Sequence, residues 1–209
     1  MKNTNYMDRM EQRMERGPLT LDQQIEILRG LGLNIPEAVF QELPAGASQE
    51  IGFAELLAII GFGQFDFDTG IWTPSSDQIF SFDAEVFDVG RMYLNFFQGL
   101  QAISKDELCF SDVEQDDSLV NWDEPSGVLR VFYRLNGVPC RFDARFMGDW
   151  LDVTVQDAVN EQLEKQGIRK RFYATDGTQG NTLFFCTEEW AEKLEEATLC
   201  YLSYSGQYS

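Results

Sequence analysis

The chain has 209 residues, 44% of them hydrophobic and 17 of them Phe, which is material for one ample core or two small ones and excludes a disordered chain. Its 35 acidic side chains against 16 basic ones leave a net charge of −19, which argues against direct contact with nucleic acid or an anionic membrane. It contains no histidine, so Ser-His-Asp and Cys-His catalysis, histidine-ligated metals and an imidazole pH switch are excluded.

The N-terminal part reads as helical. Met7, Met10 and Met14 fall at helical spacing within residues 6–16, and Gly17-Pro18 ends that segment. Thr20 followed by Gln23 fits a capping box, with Leu21, Ile25, Leu28 and Leu31 on one face and Gly30 and Gly32 closing the helix. Pro36 suits the first turn of a short helix reaching about Leu43. Ser48 is the expected cap of a third helix, with Ile51, Leu56 and Ile60 inside and Gly61 at its end. Residues 1–61 are therefore expected to form a small helical N-terminal subdomain, followed by an α+β domain over 62–209.

In that second part, residues 63–76 read as turns and 78–82 as a strand. Asp83 is the expected cap of a long helix over 84–102, where Val86, Val89, Tyr93, Phe96, Phe97 and Leu100 keep a helical period. Leu108, Phe110 and Val113 mark a strand, and an acidic loop is expected after it. Asn136-Gly137 is the preferred two-residue hairpin turn between strands over 128–135 and 138–147. Folding about that turn pairs Leu135 with Val138, Tyr133 with Cys140, Val131 with Phe142 and Leu129 with Ala144 on an apolar face. The other face carries Arg130, Arg134, Arg141 and Arg145, and sets Arg130 beside Asp143.

A helix over 152–166, a second hairpin from 168–174 and 182–186, a Thr187-capped helix over 188–197 and a strand within 199–204 complete the chain. The order from Val128 is β-β-α-β-β-α. It predicts an α+β fold of antiparallel sheets built from hairpins, with helices packed on one face.

Residues 1–18 lack the apolar stretch of a signal peptide, and the longest greasy run, 56–62, is too short to span a bilayer, so a cytoplasmic protein is expected. Cys109, Cys140, Cys186 and Cys200 form no Cys-x-x-Cys pair, so they read as free thiols of a reducing compartment and not as a zinc site. Arg169, Lys170 and Arg171, beside Phe172 and Tyr173, read as cations that offset neighbouring acidic helices.

Asp66-Phe67-Asp68-Thr69 has the D-x-D-x-T form and resembles the first motif of the haloacid dehalogenase-like phosphotransferases. Gly148-Asp149 and Asp152 resemble that family's later metal-binding motif. The resemblance implies Asp66 as nucleophile and Asp68 as acid/base, with Mg²⁺ nearby. It covers two short strings and departs from the pattern. Gly61–Phe65 is a poor buried parallel strand, the later motif is one residue short, and hairpins oppose a parallel sheet. A Ca²⁺ loop on Asp66, Asp68 and Gly70 also fails, because Ile71 and Asp77 stand where Gly and Glu are required. No phosphate-binding or dinucleotide motif is present. No cofactor, metal or catalytic residue is assigned.

Charge carries the functional reading. Residues 30–129 hold 18 carboxylates and only Arg91 and Lys105, a net −16. The densest part, Asp112, Glu114, Asp116, Asp117, Asp123 and Glu124 around Trp122, is the expected contact for a basic protein partner: charges steer and the aromatic anchors. The leading expectation is a non-enzymatic binding module, with a toxin-neutralising immunity or inhibitor protein as analogy. Two alternatives stand beside it: a nucleic-acid mimic, and a Mg²⁺-dependent hydrolase or phosphotransferase using Asp66 and Asp68. Oligomeric state is left open.

Overall fold

The computed structural model describes residues 19–36, 51–175 and 180–204. The Met7–Met10–Met14 segment, the helix expected from Pro36 to Leu43, the Ser48 cap and the turn at 176–179 lie outside them, Pro36 itself excepted. The fold is α+β with antiparallel sheets, as expected.

Helix α1 (Leu21–Gly30) begins where its cap dictates: the Thr20 hydroxyl accepts from Gln23 N, and the Gln23 side chain accepts from Thr20 N at 2.9 Å. Helix α2 (Phe53–Gly61) buries Leu56, Leu57 and Ile60 and ends at Gly61. The next residues differ from the all-turn expectation. β1 (Gln64–Asp66) and β2 (Ile71–Thr73) form an antiparallel ribbon with Phe65 opposite Trp72. These two large aromatics on one face give the short ribbon a surface to pack, which turn-rich composition hides.

β3 (Phe80–Asp83) follows, but the long helix does not start at Asp83. Helix α3 runs Met92–Ser104, behind a 3-10 turn at Val89–Arg91 capped by Asp88. The cause is competition for backbone groups. Val86 N donates to Asp149 O, and Leu151 N donates to Ala84 O, both at 2.7 Å. Those bonds hold residues 84–86 out of the helix, against a segment some sixty residues away, although their apolar spacing suits one.

β4 (Phe110–Asn121), β5 (Ser126–Leu135) and β6 (Val138–Arg145) form a meander. The β5–β6 register is the one read from the sequence, from Leu135↔Val138 through Tyr133↔Cys140 and Val131↔Phe142 to Leu129↔Ala144, with Arg130↔Asp143 on the outer face. Asn136 and Gly137 both take positive φ, 54° and 79°, as the tight turn demands. The acidic loop expected after Val113 is instead strand β4 as far as Asn121, and only 122–125 form a turn. Asp112, Glu114 and Asp116 are tolerated in a strand because it lies at an edge, is bulged, and faces arginines on β5.

Helix α4 (Val155–Lys165), β7 (Arg171–Thr175), β8 (Gly180–Cys186), helix α5 (Glu188–Thr198) and β9 (Leu202–Ser203) complete the chain. Thr187 caps α5 through Trp190 N, as its position predicts. The final strand is shorter than expected, because Leu199 turns left-handed at φ 59° to close α5.

The second sheet has the order β3-β8-β7-β9 and separates two cores. Strand periodicity sorts the side chains. Leu183 and Phe185 point with Phe80, Phe172 and Ala174 toward α3, α4 and the meander. Phe184 and Cys186 point with Tyr173 toward α1, α2 and α5. A strand buried on both sides explains the unbroken apolar run of β8. Two bonds tie α1 in place: Trp190 Nε1 donates to Leu31 O at 3.0 Å, and buried Gln24 donates to Ile51 O at 2.6 Å.

Candidate functional site

The seven residues singled out by charge occupy β4 and the turn that follows it, and they divide into two groups. At the first end, Asp112 sits in a bulge at φ 52° and its carboxylate lies 3.0 Å from Arg134. Four residues on, Asp116 lies 2.8 Å from Arg130. Its carboxyl is held below the usual range, first by the N–H and hydroxyl of Ser118 and then by Arg130. Glu114 is exposed between them, opposite Phe132. The outer face of the meander is thus a mixed-sign surface. Arg141 pairs with Asp143 on β6 to extend it.

The second group is Asp117, Trp122, Asp123 and Glu124. Asp117 lies at the second bulge, on the order of 30 Å of extended strand separating the Asp112 end from Trp122. Asn121 shapes the turn: its side-chain oxygen accepts from Asp123 N at 3.1 Å and from Glu124 N at 3.3 Å. Trp122 stands 55% exposed with its ring edge-on to buried Phe146, centroids 4.9 Å apart. Leu119 is 56% exposed on the same strand. Two exposed apolar groups therefore stand among carboxylates that, among the described residues, pair with no arginine.

Asp66 and Asp68 do not have the setting that the phosphotransferase resemblance implies. Asp66 closes an antiparallel ribbon instead of ending a buried parallel strand. Its Oδ1 accepts from Asp68 N at 2.8 Å and Thr69 N at 3.2 Å, and these bonds hold its carboxyl below the ordinary range. That carboxylate organises its own turn. Among the described residues no group of three His, Cys, Asp or Glu side chains is placed to hold a metal ion.

Sequence reading missed an aromatic pocket of about 260 Å³ between the β1–β2 ribbon and residues 82–88. Trp72, Phe80, Met92, Phe96 and Leu151 form its buried floor. Phe65, Phe67 and Phe87 form one wall, with ring centroids 5.1, 5.9 and 5.4 Å apart. Phe67 and Phe87 are nonetheless 75% and 80% exposed. The polar lining is Ser81, Asp83, Glu85, Asp88 and Asn95. Asp83 and Asp88 each accept a backbone N–H at 2.9 Å, from Glu85 and Gly90. Asn95 spans the gap to the ribbon by donating to Gly70 O at 3.0 Å. The available signal was the alternation Phe65-Asp66-Phe67-Asp68, but Phe87 joins it only through the fold.

No family model, curated protein or solved structure matches this chain. Among the described residues no helix is long and apolar enough to cross a membrane.

Proposed function

We propose that the protein is a non-enzymatic, acidic binding module of the cytoplasm that engages a basic protein partner, in the manner of an immunity or inhibitor protein. The observation that carries this reading is Trp122: a half-exposed indole propped on Phe146 and flanked by Asp123 and Glu124 in an ordered turn. Leu119 and Asp117 extend the same edge. An aromatic anchor already held in place loses little side-chain freedom on binding, and surrounding carboxylates accelerate encounter with a cationic surface.

The nucleic-acid mimic has less support. A phosphate-like row needs uninterrupted negative charge, whereas Arg130 and Arg134 interleave with Asp112 and Asp116. The Asp66–Asp68 enzyme has less support as well, because Asp66 is engaged by its own turn.

The test is affinity capture from the producing cells, with the wild-type chain and with a Trp122→Ala, Asp123→Asn, Glu124→Gln variant. Recovery of the same cationic protein by the wild type alone supports the reading. Its salt-sensitive association rate should also fall in the Asp123→Asn, Glu124→Gln variant. Equal recovery by both chains overturns it.

A further inference from the structure

We propose that the aromatic pocket between the β1–β2 ribbon and residues 82–88 binds a small amphipathic organic cation, with an apolar body on the floor and an ammonium head against the acidic rim. This site is separate from the β4 edge, and neither reading depends on the other.

The shape comes first. The pocket is close in size to the lower end of small-ligand sites, and its floor is built by buried side chains of the main core, so it is preformed. Its wall is unusual. Phe67 and Phe87 leave most of their surface in water yet touch each other and Phe65. Two exposed phenylalanines that meet over a cavity gain less by burial in this state than a ligand beneath them would supply.

Charge then selects the ligand. Asp83, Glu85 and Asp88 line the pocket, and among the described residues no Lys or Arg does. Arg91 is outside the lining, but its Cδ and the Asp88 carboxylate both approach Gly70, so Asp88 has a cation on its far side and Asp83 carries most of the selection. The backbone bonds to Asp83 and Asp88 fix the direction of both carboxylates. Phenylalanine faces attract a cation through their ring quadrupole, and carboxylates beside them add to that attraction. An anionic ligand would meet the Asp83 carboxylate, and a neutral one would leave the rim unused.

The experiment titrates the full chain with 2-phenylethylammonium, 2-phenylethanol and phenylacetate, followed by calorimetry and by protein NMR. The expected order is ammonium tightest, alcohol about tenfold weaker and phenylacetate weakest. Phe67→Ala with Phe87→Ala should reduce ammonium affinity at least about fivefold, because both rings are removed from over the site. The exposed positions let the fold survive, which an unchanged thermal midpoint confirms. Asp83→Asn, which can still accept from Glu85 N, should narrow the gap between ammonium and alcohol while leaving the alcohol unaffected. Added salt should do the same. Ammonium binding that is absent, no tighter than the alcohol, or unaltered by loss of both rings overturns the assignment.

Discussion

Asp116 on β4 and Arg130 on β5 stand directly opposite in register, and their charged groups lie 2.8 Å apart. The pair links the most acidic stretch of the chain to the most basic face of the hairpin. It also gives a pH dependence with a definite sign. The Asp116 carboxyl is held below its usual value of 3.8, mainly by its bonds to Ser118. A carboxylate depressed in the folded state stabilises the fold above its unfolded pKa, and that contribution disappears as pH falls through the folded value. The denaturant midpoint should therefore be flat near neutrality and fall below about pH 4. Asp116→Asn should lose less between about pH 5 and pH 3 than the wild type does. Superimposable pH curves for the two proteins would count against this account.

Asn160 predicts a larger effect, because it and Phe172 are buried. Its side chain donates to Phe172 O and accepts from Phe172 N, both at 2.9 Å, and donates to Tyr204 O at 2.8 Å. Gln156 also donates to Phe172 O, at 2.8 Å. β9 pairs with β7 only at Ala174 and Thr175, so the amides of α4 take the place of a neighbouring strand at Phe172. Asn160→Leu keeps the branched shape of the side chain, in a bulkier form, and strands the buried Phe172 N–H. Equilibrium denaturation should show a loss of about 3 kcal/mol. Asn160→Asp, which retains one acceptor, should recover the bond to Phe172 N but not the two donations.

These examples mark where sequence was readable. The β5–β6 register followed from Asn136-Gly137, since a two-residue turn admits one pairing and the apolar face then selects itself. Thr20 and Thr187 announced helix starts because a cap is a local bond. What failed was decided at a distance. Val86 and Val89 fit the period of α3, yet Asp149 and Leu151 claim the backbone at 84–86. Glu114 and Asp116 read as a loop because Asp and Glu are poor strand formers, and the edge position, the bulges and the placement of Asp116 across from Arg130 make the strand acceptable. The aromatic pocket was equally hidden. Phe65 and Phe67 could be seen as neighbours in sequence, but Phe87 and Leu151 meet them only after β3 and the 149–151 segment pack together.

Gly99 tests the packing of the main core. It lies within α3, where Ala is ordinarily favoured by roughly 1 kcal/mol. A Cβ at this position would overlap the ring of Phe80, which is itself fixed by Trp72, Phe82 and Phe96. Overpacking should exceed the helical gain, so Gly99→Ala is expected to destabilise the protein by about 1–3 kcal/mol. Gly99→Ala combined with Phe80→Leu should recover part of that loss. A lone Gly99→Ala that raises the midpoint would show that Phe80 can move.

The thiols should separate by burial. Cys109 is exposed, Cys140 half-buried, and Cys186 and Cys200 buried. Burial pushes the Cys186 thiol up to about 12, only partly opposed by Lys170, and it raises Cys140 as well. Alkylation proceeds through the thiolate, so both pKa and access slow the protected positions. In native protein at about pH 8, mass spectrometry should find Cys109 modified first and Cys140 later, with Cys186 labelled on the timescale of unfolding. Denaturant should collapse these differences. Because Cys186 points into the core shared by α1, α2 and α5, its labelling rate also reports whether those helices stay docked. Rapid modification of Cys186 without denaturant, with Cys109 no faster, would mean that this second core opens readily in the native state.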